Sequence, residues 1–227
     1  MPTDPSLAAS ADRLAPIAGL VLAGGASRRM GRDKAALEHA GQTQLARLFD
    51  LLSRHLPEVR VAVRSDQQAE PLRRAFPQVL DLEPTDALPV GGPMAGLLGA
   101  FAYAPDHAWL VVACDLPLLD DAAILQLLAE REPNAIATAY TSSHDGLPEP
   151  LCALWEPAAA AALRAHVATG NLCPRKFLLR HHAHLLSARS SVSTNINTPA
   201  ELTALAAMAE PSTLAEPAVS FSAPRIP

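Results

Sequence analysis

The sequence has little cysteine and no excess of positive charge, and both features narrow the classes of protein it can represent. Its three cysteines, Cys114, Cys152 and Cys173, are widely spaced and include no CxxC pair. Such a set predicts buried, reduced thiols rather than a disulfide framework or a zinc site. The 18 Lys and Arg residues are outnumbered by 23 Asp and Glu residues, which gives a formal net charge of −5. We therefore expect no nucleic-acid partner, and any bound anion must be held by a local group of residues.

Long apolar segments are also missing. The longest uncharged stretch, residues 87–105, has 19 residues but includes three prolines and four glycines. Because these residues disfavour a continuous spanning helix, we expect no membrane segment. The first residues place no basic region ahead of an apolar run, so we expect no signal peptide and a cytoplasmic protein.

Composition divides the chain into three segments. Residues 1–15 are polar and contain several Ala and Pro residues, which predicts a flexible N-terminal arm. Residues 210–227 contain four prolines and no helical periodicity, which predicts a disordered C-terminal tail. No repeat or linker-like stretch interrupts the sequence between them, so residues 16–209 are predicted to form one domain.

Hydrophobic patterning in this domain indicates alternating strands and helices. Short, nearly continuous apolar runs suit buried strands, and they occupy residues 17–22, 59–63, 79–82, 109–113, 135–140 and 151–155. Apolar residues recur at helical spacing in residues 45–56, 94–101 and 124–128. This alternation predicts an α/β fold, in which helices cover both faces of a mainly parallel central sheet.

Glycines and charged residues follow several of the predicted strands. In open parallel sheets, ligands bind beyond the carboxyl ends of the strands. These ends carry Gly24 and Gly25, Arg64, Asp81 and Asp115. The set suits a phosphate ligand with a metal ion, although an Asp after a strand also serves simply as a turn or helix cap.

The first of these ends opens the most informative segment, LAGGASRRMGRDK at residues 22–34. Its glycines allow a tight turn whose N–H groups can approach phosphate oxygens, while Arg29 and Lys34 add positive charge. The segment contains neither the Walker A pattern nor GxGxxG. It therefore indicates a phosphate site unlike those of P-loop enzymes and dinucleotide-dependent dehydrogenases.

Four motifs, in this order along the chain, resemble those of the molybdenum cofactor guanylyltransferases, a family of Rossmann-like nucleotidyltransferases. They are the LAGG segment at 22–25 with the basic residues that follow it, GPMAGL at 92–97, CDLP at 114–117 and NINTP at 195–199. The resemblance covers about residues 17–205 and implies a three-layer, Rossmann-like nucleotidyltransferase fold. It also implies transfer of GMP from GTP to the phosphate of molybdopterin, or of its molybdenum-loaded form, with release of pyrophosphate.

The same resemblance implies roles for individual residues. Arg29, Lys34 and Asp115 are expected to be catalytic, and Asp115 is expected to bind the cofactor Mg²⁺. The expected nucleotide-binding residues are Leu22, Ala23, Gly24, Gly25, Lys34, Asp81, Gly92 and Asp115. For the nucleotide contact after the third strand, Glu83 competes with Asp81.

The expected acceptor-binding residues are Asn195 and Asn197, which the resemblance places on the pterin side. Arg175 is a further candidate for the acceptor's phosphate, although a solvated basic patch explains it equally well. Besides GTP and the molybdenum cofactor, the implied partners are molybdenum-insertion proteins and acceptor molybdoenzymes.

Three other functions remain open. A CTP-dependent cytidylyltransferase for the same cofactor has a loop resembling LAAG rather than LAGG. A sugar-phosphate nucleotidyltransferase would share the first loop but would not require the two asparagines. A non-catalytic nucleotide-binding protein is disfavoured by the presence of Lys34 and Asp115. The chain also departs from the family pattern at Arg64, where asparagine is frequent, and at Glu149, where a basic residue or histidine is common.

Overall fold

The computed structural model describes residues 14–25, 33–39 and 41–193. The strands are β1 (Ile17–Leu22), β2 (Glu38–His39), β3 (Gln42–Thr43), β4 (Val59–Val63), β5 (Gln78–Leu80), β6 (Ala108–Ala113), β7 (Ala137–Thr141), β8 (Pro148–Trp155) and β9 (His184–Leu186). The helices are α1 (Gln44–Ser53), α2 (Pro93–Tyr103), α3 (Asp121–Ala129), α4 (Ala159–Ala168), α5 (Pro174–Arg180) and α6 (Ser190–Ser193).

Seven of these strands form one sheet in the order β5-β4-β1-β6-β8-β7-β9, and β2 pairs with β3 in a small hairpin. The first four strands of the sheet are parallel to one another. Strand β8 is antiparallel to both of its neighbours, and β9 is parallel to β7. The sheet is therefore mainly parallel with β8 reversed, which confirms the predicted α/β fold class.

The chain changes its direction of travel across the sheet between β1 and β6. From β1 it proceeds outward to β4 and β5, and it then returns to the other side of β1 at β6. At such a switch point the connections leave in opposite directions, so a crevice opens at the carboxyl ends of the two strands. Gly24 lies just beyond the end of β1 and Asp115 just beyond the end of β6, on the two sides of this crevice.

Buried side chains on the two faces of the sheet form two hydrophobic cores, and helices cover both. One core joins Val21 to Leu48 of α1, and the other joins Leu20 to Leu98 of α2 and Leu163 of α4. Neighbouring residues of β1 enter different cores because side chains alternate between the faces of a strand. Helix, sheet and helix thus make the three layers that the sequence predicted.

Helix α2 is the most deeply buried of the described helices, and its glycines let it approach the sheet closely. Every residue from Met94 to Phe101 is buried. A Cβ atom at Gly99 would lie 2.2 Å from the carbonyl oxygen of Leu80, and one at Gly96 would lie 2.7 Å from Cδ2 of Leu22. This close packing holds the N-terminus of α2 beside the crevice.

Several details differ from the sequence-based expectations. Strand β5 ends at Leu80 rather than at residue 82, and β8 starts at Pro148 rather than at residue 151. The three cysteines are free thiols, but Cys173 is only half-buried. Nearly all of the predicted N-terminal arm and the whole C-terminal tail lie outside the described residues. No helix within the described ranges combines the length and apolar character that crossing a bilayer requires.

Candidate active site

A cavity of about 660 Å³ occupies the crevice at the switch point. This volume is in the range of pockets that bind small molecules and cofactors. The residues that the sequence predicted to bind a nucleotide all line it, namely Leu22, Ala23, Gly24, Gly25, Lys34, Asp81, Gly92 and Asp115. The fold therefore brings together, in one cavity, residues that are up to 93 positions apart in the chain.

Two opposite charges face each other in this cavity. Nζ of Lys34 lies 3.6 Å from Oδ2 of Asp115, and the two side chains are 18% and 21% exposed. Lys34 begins a short 3-10 turn that is capped by Asp33, whose Oδ1 accepts a hydrogen bond of 3.0 Å from the backbone N–H of Ala35. A cation and a carboxylate at this separation can bind a polyphosphate and a cation associated with it.

Helix α1 holds the turn that carries Asp115. Nε2 of Gln44 donates to the carbonyl oxygen of Leu116 at 3.1 Å. The guanidinium of Arg47 donates to the same oxygen at 2.8 Å and to the carbonyl oxygen of Leu119 at 2.9 Å. These bonds satisfy backbone acceptors inside the protein and fix the direction in which the turn presents its carboxylate.

Asp81 is enclosed between two glycines. A Cβ atom at Gly24 would lie 2.8 Å from its Oδ2, and one at Gly96 would lie 3.3 Å from its Oδ1. Burial raises the pKa of Asp81 to about 6, and the nearby charge of Arg64 opposes this shift. Asp81 lines the cavity, whereas Glu83 is exposed and does not.

Arg64 places a guanidinium at the edge of the cavity next to the glycine turn. Its Nη1 donates to the carbonyl oxygen of Gly24 at 2.5 Å, while Nε and Nη2 donate to the carboxylate of Asp66 at 2.9 Å each. Hydrogen bonds thus hold the guanidinium from two directions, and its positive charge lies near Asp81.

Arg175 lies outside the cavity lining, on α5, where two carboxylates bind its guanidinium. The distances are 3.1 Å to Oδ2 of Asp145 and 2.5 Å to Oε1 of Glu149. Burial raises the pKa of Glu149, the charge of Arg175 opposes that shift, and Asp115 adds to it. The reversed direction of β8 explains this neighbourhood, because its first residues lie at the same rim as the ends of the parallel strands.

Several cavity residues, among them Asp33 and Leu151, received no site role from the sequence. Asp33 lines the cavity, and its position before a short helical turn is the pattern of a cap, which could have identified it. Leu151 also lines it, and the sequence marks that residue only as part of an apolar strand. Arg29, Asn195 and Asn197 lie outside the described residues, so their roles remain predictions.

The carboxylate at the end of β6 suits a hard divalent cation. In the part of the chain that the structure describes, no group of three or more His, Cys, Asp or Glu side chains could by itself hold a metal. Magnesium is commonly bound by one or two carboxylates together with substrate phosphates and water, so the donor set offered by Asp115 fits that ion.

Comparison with known proteins identifies relatives whose similarity covers most of the chain. Residues 19–185 match the family model of the MobA-like NTP transferase domain. The chain is 37% identical over 201 residues to a molybdenum cofactor guanylyltransferase of Rhizobium johnstonii, an alignment that covers 82% of this chain and 90% of that protein. It is 34% identical over 186 residues to a molybdenum cofactor biosynthesis bifunctional protein of Synechocystis. That alignment covers 81% of this chain and 52% of the relative, so the chain spans about half of the bifunctional protein's length.

A solved structure supports the fold independently. The molybdopterin-guanine dinucleotide biosynthesis protein A of Archaeoglobus fulgidus superposes with a TM-score of 0.69 at 22% identity, covering 84% of this chain and 97% of that one. The family model spans most of the chain, and the two sequence relatives exceed 30% identity over more than four-fifths of it. With its glycine turn and paired charges at the switch point, the chain belongs to the MobA-like NTP transferase family of nucleotidyltransferases.

Proposed function

We propose that this protein transfers GMP from GTP to the phosphate of molybdopterin, or of its molybdenum-loaded form, and releases pyrophosphate. The observation that carries the proposal is the pairing of Lys34 with Asp115 at 3.6 Å in a cavity that also contains the glycine turn. The names of the sequence relatives support the choice of substrates. In this reaction an oxygen of the acceptor's phosphate attacks the α-phosphorus of GTP, and pyrophosphate leaves with the electron pair of the broken P–O bond.

The chemistry requires positioning and charge neutralisation more than proton transfer. A phosphate nucleophile is already anionic near neutral pH, so the reaction needs no general base. What the site must supply is alignment of the two phosphates and stabilisation of the charge that develops on the leaving group.

The described residues divide these tasks. Gly24 and Gly25 present backbone N–H groups to phosphate oxygens, and Lys34 neutralises charge on the leaving pyrophosphate. The N-terminus of α2, which follows Gly92, directs the positive end of the helix dipole towards the phosphates. Asp81 accepts hydrogen bonds from the N–H groups of the base.

Asp115 would hold Mg²⁺ together with the nucleotide's phosphates. When bound, the ion withdraws negative charge from the phosphate oxygens during transfer. We further propose that Arg29 acts with Lys34 on the phosphates, and that Asn195, Asn197 and Arg175 contact the acceptor.

The remaining partners follow from the proposed reaction. The protein would act in the cytoplasm, where its partners would be molybdenum-insertion proteins and acceptor molybdoenzymes.

Alanine variants of Lys34 and Asp115, compared with charge-matched control variants, test the roles of these two residues. Lys34→Ala and Asp115→Ala should each lower the rate of guanine dinucleotide formation at least 100-fold, about 3 kcal/mol of barrier. The control variants Arg74→Ala and Asp86→Ala remove the same charges from exposed positions and should retain wild-type rates. Wild-type turnover by either site variant, with GTP, Mg²⁺ and molybdopterin supplied, would contradict the assigned roles.

Thermal unfolding identifies the nucleotide. GTP with Mg²⁺ should raise the melting temperature more than CTP with Mg²⁺, because a ligand that binds the folded state stabilises it in proportion to ln(1 + [L]/Kd). A larger shift with CTP would instead make the protein a cytidylyltransferase.

A further inference from the structure

Arg73 is one of the largest fully buried side chains in the described residues, with 1% of its surface exposed. It lies in the turns between β4 and β5 and does not line the cavity. A buried guanidinium is stable only when carboxylates and hydrogen-bond acceptors replace its lost hydration. The acceptors that Arg73 uses therefore indicate what it does.

Two of those acceptors lie near the two ends of the glycine-containing segment at residues 22–34. Nε and Nη2 of Arg73 donate to the carbonyl oxygen of Ala23 at 3.1 and 2.7 Å, immediately before the glycine turn. Nη2 also donates to Oδ2 of Asp33 at 2.6 Å, immediately before Lys34. The carboxylate of Glu70 accepts from Nη1. One side chain thus joins the start of the segment to its end.

The contact with Asp33 reaches the proposed catalytic lysine. Oδ2 of Asp33 binds Arg73, while Oδ1 of the same carboxylate accepts from the N–H of Ala35 and caps the turn that carries Lys34. Arg73 is also close enough to Cys114 to oppose, by its charge, the burial that raises the pKa of that thiol to about 12. Arg73 thus bonds to two residues that line the cavity, Ala23 and Asp33, without lining it itself.

Arginine is the side chain suited to this task. Its planar group has five N–H donors in fixed directions, so it can bind a carbonyl oxygen and two carboxylates at once. A lysine would keep the charge but would bring a single nitrogen, which cannot reach the same acceptors from the same position.

We infer that Arg73 is a positioning residue for nucleotidyl transfer, because it holds the glycine turn and Lys34 in register for the triphosphate. The inference rests on the proposed function for its catalytic consequence, but the clamp itself is a property of the unliganded fold. A displacement of about 1 Å in such groups costs up to about 100-fold in rate.

Arg73→Lys tests this inference, with Arg131→Lys as the matched control. Arg131 is also an arginine whose side chain is largely covered, at 7% exposed, and paired with a carboxylate, Glu156, and it donates to the carbonyl oxygen of Ala15. Ala15 precedes β1, so this second clamp lies at the amino end of the same strand, away from the cavity. Both substitutions keep the charge and remove a buried fork of hydrogen bonds.

Steady-state kinetics at 20 °C provide the first readout. Arg73→Lys should raise KM for GTP and lower kcat, with a combined loss in kcat/KM of at least tenfold. Arg131→Lys should lower the melting temperature about as much as Arg73→Lys does, while leaving kcat and KM within twofold of wild type. If the two variants melt alike and Arg73→Lys retains wild-type constants, Arg73 is only a structural residue and the inference is wrong.

Amide hydrogen exchange without substrate provides a second readout that does not depend on the reaction. The N–H groups of Ala35 and Leu37 should exchange faster in Arg73→Lys than in Arg131→Lys or wild type. Faster exchange in Arg73→Lys, together with a wild-type protein that is inactive with GTP and molybdopterin, would contradict the proposed function but keep the clamp. Unchanged exchange together with unchanged kinetics would overturn the clamp itself.

Should Arg73→Lys fail to fold, Glu70→Ala loosens the clamp from its exposed side. This variant should raise KM for GTP at least threefold and accelerate the exchange of the Ala35 amide. Wild-type values for both quantities would contradict the inference.

Discussion

Replacing Asp81 with asparagine should make the protein more stable at neutral pH, although the residue lines the cavity. Burial raises the pKa of this carboxyl from 3.8 to about 6, so the folded state binds its proton more tightly than the unfolded state does. A shift of about two units corresponds to about 3 kcal/mol. This destabilisation is absent below pH 3.8, grows as the pH rises from 3.8 to 6, and is complete above pH 6.

Urea unfolding of wild type and Asp81→Asn at several pH values between 4 and 8 measures the effect. The variant should gain up to about 3 kcal/mol in free energy of unfolding relative to wild type as the pH rises, and the gain should fall below about 1 kcal/mol near pH 4. Asp66→Asn is the control of opposite sign, because a hydrogen bond from Arg64 lowers the pKa of the exposed Asp66 carboxyl. If the difference in free energy of unfolding between wild type and Asp81→Asn does not change with pH, the reasoning is wrong.

Two further predictions concern packing and a buried ion pair. Gly99→Ala should lower the free energy of unfolding by about 1–3 kcal/mol, because the new methyl group would overlap the carbonyl oxygen of Leu80. In the same urea titration, Gly91→Ala should stay within about 0.5 kcal/mol of wild type, since its Cβ would meet nothing closer than 4.0 Å. Glu156→Ala should cost about 3–5 kcal/mol, because it strips the carboxylate from a guanidinium that it binds at 2.7 and 2.8 Å. A loss below about 1 kcal/mol would show that water replaces the carboxylate around Arg131.

The sequence predicted much of this fold because burial leaves a clear pattern in the order of residues. The runs that became β1 and β4 were predicted with their observed bounds, since parallel strands buried on both faces are nearly continuous apolar runs. An apolar run, however, contains no information about strand direction. The reversal of β8 therefore could not be predicted, and neither could the approach of Glu149 to the rim.

The candidate site likewise contains residues that the sequence could predict and residues that it could not. Gly24 and Asp115 were predictable because each follows shortly after a predicted strand, and Lys34 because it ends the basic segment after the first strand. Arg73 was not, because an arginine in a polar segment is typical of an exposed surface. Two of its acceptors, Ala23 and Asp33, are 50 and 40 positions away in the chain, so the local sequence does not reveal its burial.

The antiparallel course of β8 brings a second group of loops to the rim of the cavity. The connection between β7 and β8, residues 142–147, arrives at the same rim as the glycine turn, yet it belongs to the half of the sheet that does not contain β1, β4 or β5. If the proposed reaction holds, insertions or deletions there would reshape the surface near Glu149 and Arg175, the proposed acceptor side, while the pairing of β1, β4 and β5 stays intact. Such an enzyme could then change the molecule to which it attaches a nucleotide and still keep its nucleotide donor.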